Sequence, residues 1–227
     1  MIIGINGKIG SGKDTVGKII QSLTQGINSN KQILDYCNGV KVTGFDWKIK
    51  KFAGKLKQIA SLLTGIPVEK FEDQDFKLTN LPEEWSILKQ SGRNKVLIPM
   101  TVREFLQKLG TEAMRDGLHT NVWVNALFAD YKTNAEWFDE IRGNYKEYPN
   151  WIITDMRFPN EMEAVKERKG ITIRVSRTGV HTPKIEDLHP SETALDNSEF
   201  DYHIDNSGTI EELVEKVREI LINEKLL

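Results

Sequence analysis

The most constraining feature of this sequence is near its start, where a short β-branched run, Ile2-Ile3-Gly4-Ile5, gives way at once to Gly7-Lys8-Ile9-Gly10-Ser11-Gly12-Lys13. The run reads as a buried strand and the glycines as the turn that ends it. Val16, Ile19, Ile20 and Leu23 then recur at helical spacing, giving the next helix one apolar face to pack on a sheet. Strand, glycine loop and amphipathic helix in that order open an α/β nucleotide-binding unit. Gly7-x-x-x-x-Gly12-Lys13 also has the spacing of a phosphate-binding loop. Glycines let successive backbone N–H groups turn inward on an anion, the helix N-terminus adds a favourable dipole, and Lys13 reaches the terminal phosphates. Gly7, Gly10, Ser11, Gly12, Lys13, Asp14 and Thr15 are therefore expected to hold the phosphates of a nucleotide, an ordinary glycine-rich turn being the alternative. The position after the lysine, where a hydroxyl ordinarily ligates Mg²⁺, carries Asp14, and Thr15 comes one residue late. Either Asp14 contacts the metal, directly or through water, or Asp14 serves the helix dipole while Thr15 contacts the metal.

The other end of the chain matches this opening. Residues 151–154, 171–175 and 202–204 read as strands, and Ile210, Leu213, Val214, Val217, Ile220 and Leu221 form the apolar stripe of a last helix. Thr209 with Glu212 is a capping box that sets where this helix begins, and Asn160 with Glu163 reads as the cap of an earlier one. The expectation is an α/β fold with a parallel sheet flanked by helices, built from about residues 1–38 and 150–227. The stretch 39–149 is mostly helical in pattern, with helices at 53–63, 101–109 and 122–131 and a capping box at Thr101 and Glu104. With no repeat and no low-complexity linker, it reads as an insertion into a single domain of 227 residues. Residues 65–81 and 178–200 read as loops, the latter containing a lid-like segment at about 177–198.

Composition narrows the function. A balance of 31 basic and 33 acidic residues gives a net charge of −2, so no global field recruits nucleic acid or an anionic membrane. One cysteine, Cys37, excludes an internal disulfide framework and reads as a small core residue. The first residues have no basic lead-in, and no apolar run approaches a membrane span, which points to a soluble cytoplasmic protein. A homodimer is left open. No guanine-reading motif is present, which argues against a GTPase switch.

Other basic residues point to a second anion. Six lysines between Lys41 and Lys57 face a single acid, Asp46, and Lys57 is the best contact among them; a solvated face is the alternative. Arg103, in the first turn of its helix, and Arg115 have the rigid fork that suits an acceptor phosphate, or else a surface ion pair. Asp155 ends a buried strand, where α/β folds place functional groups; it would hold Mg²⁺ or cap the following turn. Arg157, just beyond, could neutralise charge on a transferring phosphoryl group. The five tryptophans read mostly as core or interface residues, and the four histidines show no metal spacing.

These residues resemble a known family, the deoxynucleoside monophosphate kinases of bacteriophages. The likeness rests on Gly12-Lys13-Asp14-Thr15, on Phe52-Ala53 through Leu56-Lys57, on Arg103-Glu104-Phe105-Leu106-Gln107-Lys108-Leu109-Gly110-Thr111-Glu112, on Asp155-Met156-Arg157-Phe158-Pro159-Asn160-Glu161, and on His189-Pro190-Ser191-Glu192. It implies a P-loop kinase fold that moves the γ-phosphate of ATP to a dNMP with Mg²⁺, the acceptor being held by Lys57, Arg103, Gln107 and Arg115. Lys13, Asp155 and Arg157 would be catalytic, and Asp14, Thr15 and Asp155 would hold the metal. Where this family often has Ala-Asp-Pro-Leu-Lys, the chain has Ala53-Gly54-Lys55-Leu56-Lys57, which leaves the base preference open. Asp205-Asn206-Ser207-Gly208-Thr209 resembles the adenine-contacting loop of related kinases such as dephospho-coenzyme A kinase. It makes Asn206 and Gly208 candidates for the ATP base, with an ordinary turn and helix cap as the alternative, and Arg177 a candidate for ATP phosphates or adenine. The competing functions are a kinase for another acceptor, such as dephospho-coenzyme A, and an ATP-binding regulator. Ser191 and Glu192 match the family without a physical role that the sequence supplies.

Overall fold

The structure is a computed structural model that describes residues 1–91, 94–133, 135–139, 143–179 and 190–227, with side chains described for all of these except 91, 135–139, 143–145 and 190. In chain order the elements are β1 (Ile2–Asn6), α1 (Lys13–Thr24), α2 (Asn30–Cys37), β2 (Trp47–Lys50), α3 (Ala53–Thr64), β3 (Ile87–Ser91), β4 (Asn94–Ile98) and α4 (Val102–Gln107). They continue with α5 (Val122–Phe128), β5 (Ala135–Asp139), β6 (Gly143–Glu147), β7 (Asn150–Ile153), α6 (Pro159–Glu167), β8 (Ile171–Ser176), β9 (Tyr202–Asp205) and α7 (Ile210–Asn223). The chain divides into two compact units, one of Met1–Lys51 with Phe128–Leu227 and the other of Phe52–Leu127.

The first unit is built on a five-stranded sheet of order β2-β7-β1-β8-β9, parallel throughout. Strand β1 is central, and its alternation dictates the layers. Ile3 and Ile5 join the core cluster with Val16, Ile19 and Ile20 of α1 and Leu213, Val214 and Val217 of α7. Gly4 faces the other way, where an added Cβ would lie 3.1 Å from Met156 Sδ and 3.2 Å from Val165 of α6. Helices thus cover both faces, and the sequence expectation of a parallel sheet flanked by helices holds. Consecutive β-strands lie on opposite sides of β1: β2 and β7 on one, β8 and β9 on the other. The carboxyl end of β1 is therefore the switch point where open α/β sheets bind ligands.

Several local expectations are met closely. Thr101 and Thr209 each cap their helix reciprocally with a glutamate three residues on. Cys37 is half-buried and packs against the core of the first unit. The cap expected of Asn160 with Glu163 is corrected: α6 starts at Pro159, and Glu161 Oε2 accepts the backbone N–H of Arg157 at 2.7 Å and of Phe158 at 3.2 Å. Proline at the first helical position has no N–H to satisfy, which places the start two residues earlier than a cap at the asparagine implies. Residues 47–50, within the stretch read as inserted, are an edge strand of the core sheet. The stretch 39–149 also contains two antiparallel hairpins, β3–β4 and β5–β6, beside its helices. Of the lid-like segment read at about 177–198, residues 180–189 lie outside the described residues.

The second unit packs Ala60, Phe71, Leu81, Val102 and Phe105 into its own small core. Its helix α4 ends sooner than the 101–109 expected and continues as a π-helical stretch, Lys108–Asp116. Gly110 sits in that stretch where a Cβ would meet Leu56 Cδ2 at 3.0 Å, and its carbonyl accepts the Trp123 indole N–H at 2.8 Å. Residues 65–81, read as a loop, contain two 3₁₀ turns, Val68–Glu72 and Phe76–Leu78.

Gly17 gives a test of how tightly α1 lies on the sheet. Its Cβ would stand 2.6 Å from Cγ2 of Thr154, a β-branched residue with no exposed surface. Helix propensity alone makes Gly17→Ala a gain of about 1 kcal/mol. Overpacking against Thr154 reverses the sign, and a net loss of about 1–3 kcal/mol is expected in urea unfolding. An unchanged or higher midpoint means the end of β7 yields.

Candidate functional site

The loop between β1 and α1 is held in shape by contacts on three sides. Gly10 and Gly12 take φ values of 80° and 93°, in the left-handed region that glycine alone enters without strain. Ser11 N–H donates to the Lys8 carbonyl at 3.1 Å, closing the turn. Gly7 runs so near β8 that a Cβ would lie 2.7 Å from the Val175 carbonyl, and the Ser11 hydroxyl would clash with it too. Ser11 Oγ is buried and has no hydrogen-bond partner among the described residues. From the far end of the chain, Asn206 donates its side-chain amide to the Ser11 carbonyl at 2.9 Å, while its backbone N–H bonds the Ser176 carbonyl at 2.8 Å. The Asn206 side chain would also collide with any Cβ at Gly12. Asn206 is thus a brace of the loop. Gly208 leaves room for the Glu212 carboxylate that caps α7. Arg177 follows β8 and is exposed.

Charged side chains converge beside this loop. Lys13 Nζ stands 3.5 Å from the Lys8 carbonyl. Burial lowers its pKa, the Arg157 charge lowers it further, and Asp14, Glu192 and Asp155 act in the opposite sense. Lys13, Asp14, Asp155 and Arg157, chosen from the sequence separately, are therefore brought into one electrostatic neighbourhood. Thr15 lies with Asp14 in the first turn of α1. Asp14 Oδ1 accepts the Thr154 hydroxyl at 2.7 Å and pairs with Lys51 at 3.3 Å. Burial works to raise its pKa, but Thr154, Lys51 and Lys13 together prevail and hold it below the usual carboxylate value. Arg157 pairs with Glu192 and donates to Ser191 Oγ at 3.3 Å. On the other side of the loop, Asp196 bridges Lys8 at 3.2 Å and Arg174 at 2.6 Å. Arg174 also bonds Asn6, whose amide donates to the Met156 carbonyl at 2.7 Å. Among the described residues, no group of three or more His, Cys, Asp or Glu is arranged to hold a metal.

The acceptor candidates all belong to the second unit. Arg103 and Gln107 are one turn apart on α4, half-buried and on the same face. Lys57 is 8% exposed and pairs with Glu72 at 2.6 Å, while Arg115 is 7% exposed and donates to the Thr120 carbonyl at 3.3 Å. These two cations are engaged within their own unit.

Sequence reasoning passed over Thr154, Lys51, Arg174 and Asp196 as site residues. Thr154 could have been found from its place directly before Asp155 at a strand end. Lys51 carried only the signal of the basic run, and Asp196 carried none.

A family model described as deoxynucleotide monophosphate kinase matches residues 50–217. The glycine loop lies outside that span, so its geometry is a separate observation. The chain is 28% identical over 144 residues to the deoxynucleotide monophosphate kinase of Enterobacteria phage T4, covering 63% of this chain and 48% of that protein. It is 29% identical over 128 residues to the deoxynucleotide monophosphate kinase of Escherichia phage RB69, covering 56% and 48%. It is 24% identical over an aligned length of 241 to the deoxynucleoside-5'-monophosphate kinase of Escherichia phage T5, covering 86% and 85%. The matched stretch spans about half the length of the first two of these relatives.

The depressed pKa of Asp14 sets a sign that unfolding experiments can read. A carboxylate more acidic folded than unfolded stabilises the fold above its unfolded pKa, and that contribution disappears as the pH falls through the folded value. Asp14→Asn is expected to be less stable than wild type at about pH 6, the gap closing below about pH 4. A gap that stays constant over that range means the charge on Asp14 has no net part in stability.

Proposed function

The chain belongs to the deoxynucleotide monophosphate kinase family, and on that premise we propose that it catalyses ATP + dNMP → ADP + dNDP with Mg²⁺. The observation that carries the reading is the convergence of Lys13 and Arg157 at a glycine cradle on the switch point of the sheet. Two neighbouring cations repel, and a polyphosphate seated on the loop offsets that repulsion while the loop's N–H groups and the N-terminus of α1 bind its oxygens.

An oxygen of the acceptor phosphate attacks the γ-phosphorus, forming one P–O bond as the bond to the β-bridging oxygen breaks. That oxygen is already anionic at neutral pH, so no strong general base is required; positioning and charge neutralisation carry the rate. Lys13 and Arg157 stabilise the charge on the transferring group. The donor set of Asp14, Thr15 and Asp155 is all oxygen and suits a small hard cation. With no dedicated cage among the described residues, it fits Mg²⁺, which keeps several waters and is held mainly by phosphates. The ion would neutralise β- and γ-phosphate charge when bound. Thr154 and Lys51 hold the Asp14 carboxylate in place.

For the acceptor, Arg103 and Gln107 present one polar face of α4 to the dNMP, and Lys57 and Arg115 hold the second unit in shape and supply positive charge. Asn206 keeps the loop's curvature, and Arg177 is an exposed cation for ATP phosphates. The ATP and dNMP are small-molecule partners, and neither nucleic acid nor membrane is required.

ADP formation from Mg-ATP, with each common dNMP and NMP and with dephospho-coenzyme A added singly, tests the reading. One or a few dNMPs are expected to raise turnover far above the acceptor-free background. Stimulation by dephospho-coenzyme A alone, or turnover indifferent to any acceptor, would overturn it. Lys13→Ala, folded by circular dichroism, is expected to lose at least about a hundredfold in kcat. Near-normal activity would remove the loop from the mechanism.

A further inference from the structure

Glu192 has no part in the transfer outlined above, yet its side chain is only 12% exposed and its carboxylate is spent on Arg157. The same guanidinium nitrogen, Nη1, also donates to Ser191 Oγ at 3.3 Å. Both partners come from one short 3₁₀ turn, Pro190–Glu192. Arg157 is meanwhile fixed at its main chain, where its N–H donates to Glu161 Oε2 at 2.7 Å. The residue is thus gripped at both ends, by α6 at the backbone and by the 190–192 turn at the guanidinium. A few residues on, Asp196 does the same for Lys8 and Arg174 on the other flank of the loop.

The charges explain what this grip is for. Arg157 lowers the pKa of Lys13 and Glu192 raises it, so the carboxylate sits where it counters the repulsion between the two cations. A guanidinium presents five N–H donors in a rigid fork. Glu192 and Ser191 take one terminal nitrogen, which among the described residues leaves the other edge of the fork to meet phosphate oxygens.

We propose that Glu192, assisted by Ser191, is a positioning residue that holds Arg157 extended beside the phosphate loop, so that the guanidinium meets the transferring phosphoryl group without first being ordered. The proposal rests on the kinase reading in taking Arg157 to act on that group. It gives the Ser191-Glu192 pair a physical role.

The test is a double-mutant cycle of Glu192→Gln and Arg157→Ala with two readouts. One is kcat and KM for dNMP-dependent ADP formation, and the other is affinity for ADP with fluoroaluminate, a mimic of the transferring group. Glu192→Gln is expected to lower kcat about tenfold with KM for ATP within about twofold, the signature of an interaction made in the transition state. It should weaken fluoroaluminate binding by a similar factor, and in the Arg157→Ala background it should have no further effect on either readout. Losses that multiply in the double variant overturn the proposal, because Glu192 then acts independently of Arg157. A rise in kcat or affinity also overturns it, since Glu192 would be competing with phosphate. Should Glu192→Gln fail to fold, Ser191→Ala takes its place in the cycle, with an expected loss of about two- to fivefold that likewise vanishes without Arg157. If wild type transfers phosphate to no dNMP, the proposed reaction fails, while the fluoroaluminate cycle still decides the role of Glu192.

Discussion

Lys13 and Arg157 are two cations near enough to repel each other at the carboxyl end of a parallel sheet, and the carboxylates about them oppose that repulsion. Asp14, Asp155 and Glu192 supply negative charge to Lys13, and Glu192 pairs with Arg157. Each carboxylate whose contacts are described is itself tethered: Asp14 by Thr154 and Lys51, Glu192 by Arg157.

Backbone packing makes this charge network possible. The loop can approach β8 because Gly7 has no Cβ to meet the Val175 carbonyl, and α1 can approach Thr154 because Gly17 has none. Thr154 therefore has two jobs, packing its methyl group under α1 and lending its hydroxyl to Asp14. Fold and site are fused at this residue, so a change made for packing reaches the charge network directly.

What the sequence made legible is what local chemistry determines. β1, the glycine loop, α1 and the capping boxes at Thr101 and Thr209 are written in short-range patterns, and the structure has them. Long-range pairing was less legible. The edge strand Trp47–Lys50 carries alternating lysines that read as a solvated face, and only its partner β7, about a hundred residues on, makes it a strand. The helix read at 101–109 stops short of most of the π-helical stretch Lys108–Asp116, whose deciding contacts, Gly110 with Leu56 and Trp123, lie outside any local window. In the site, residue types that announce phosphate chemistry were found, whereas their holders, Thr154, Lys51 and Asp196, have ordinary identities made useful by position.

The hydrogen bond from Asn206 to the Ser11 carbonyl joins residues 195 positions apart. β1 likewise finds its neighbours only among residues beyond 150. During synthesis β1 and its loop are therefore made well before the partners that complete them. The glycine-rich loop emerges from the ribosome as a hydrophobic strand without a sheet and must wait, unpaired, until β7, β8 and β9 follow. The brace from Asn206 closes on the loop only once those later strands are in place.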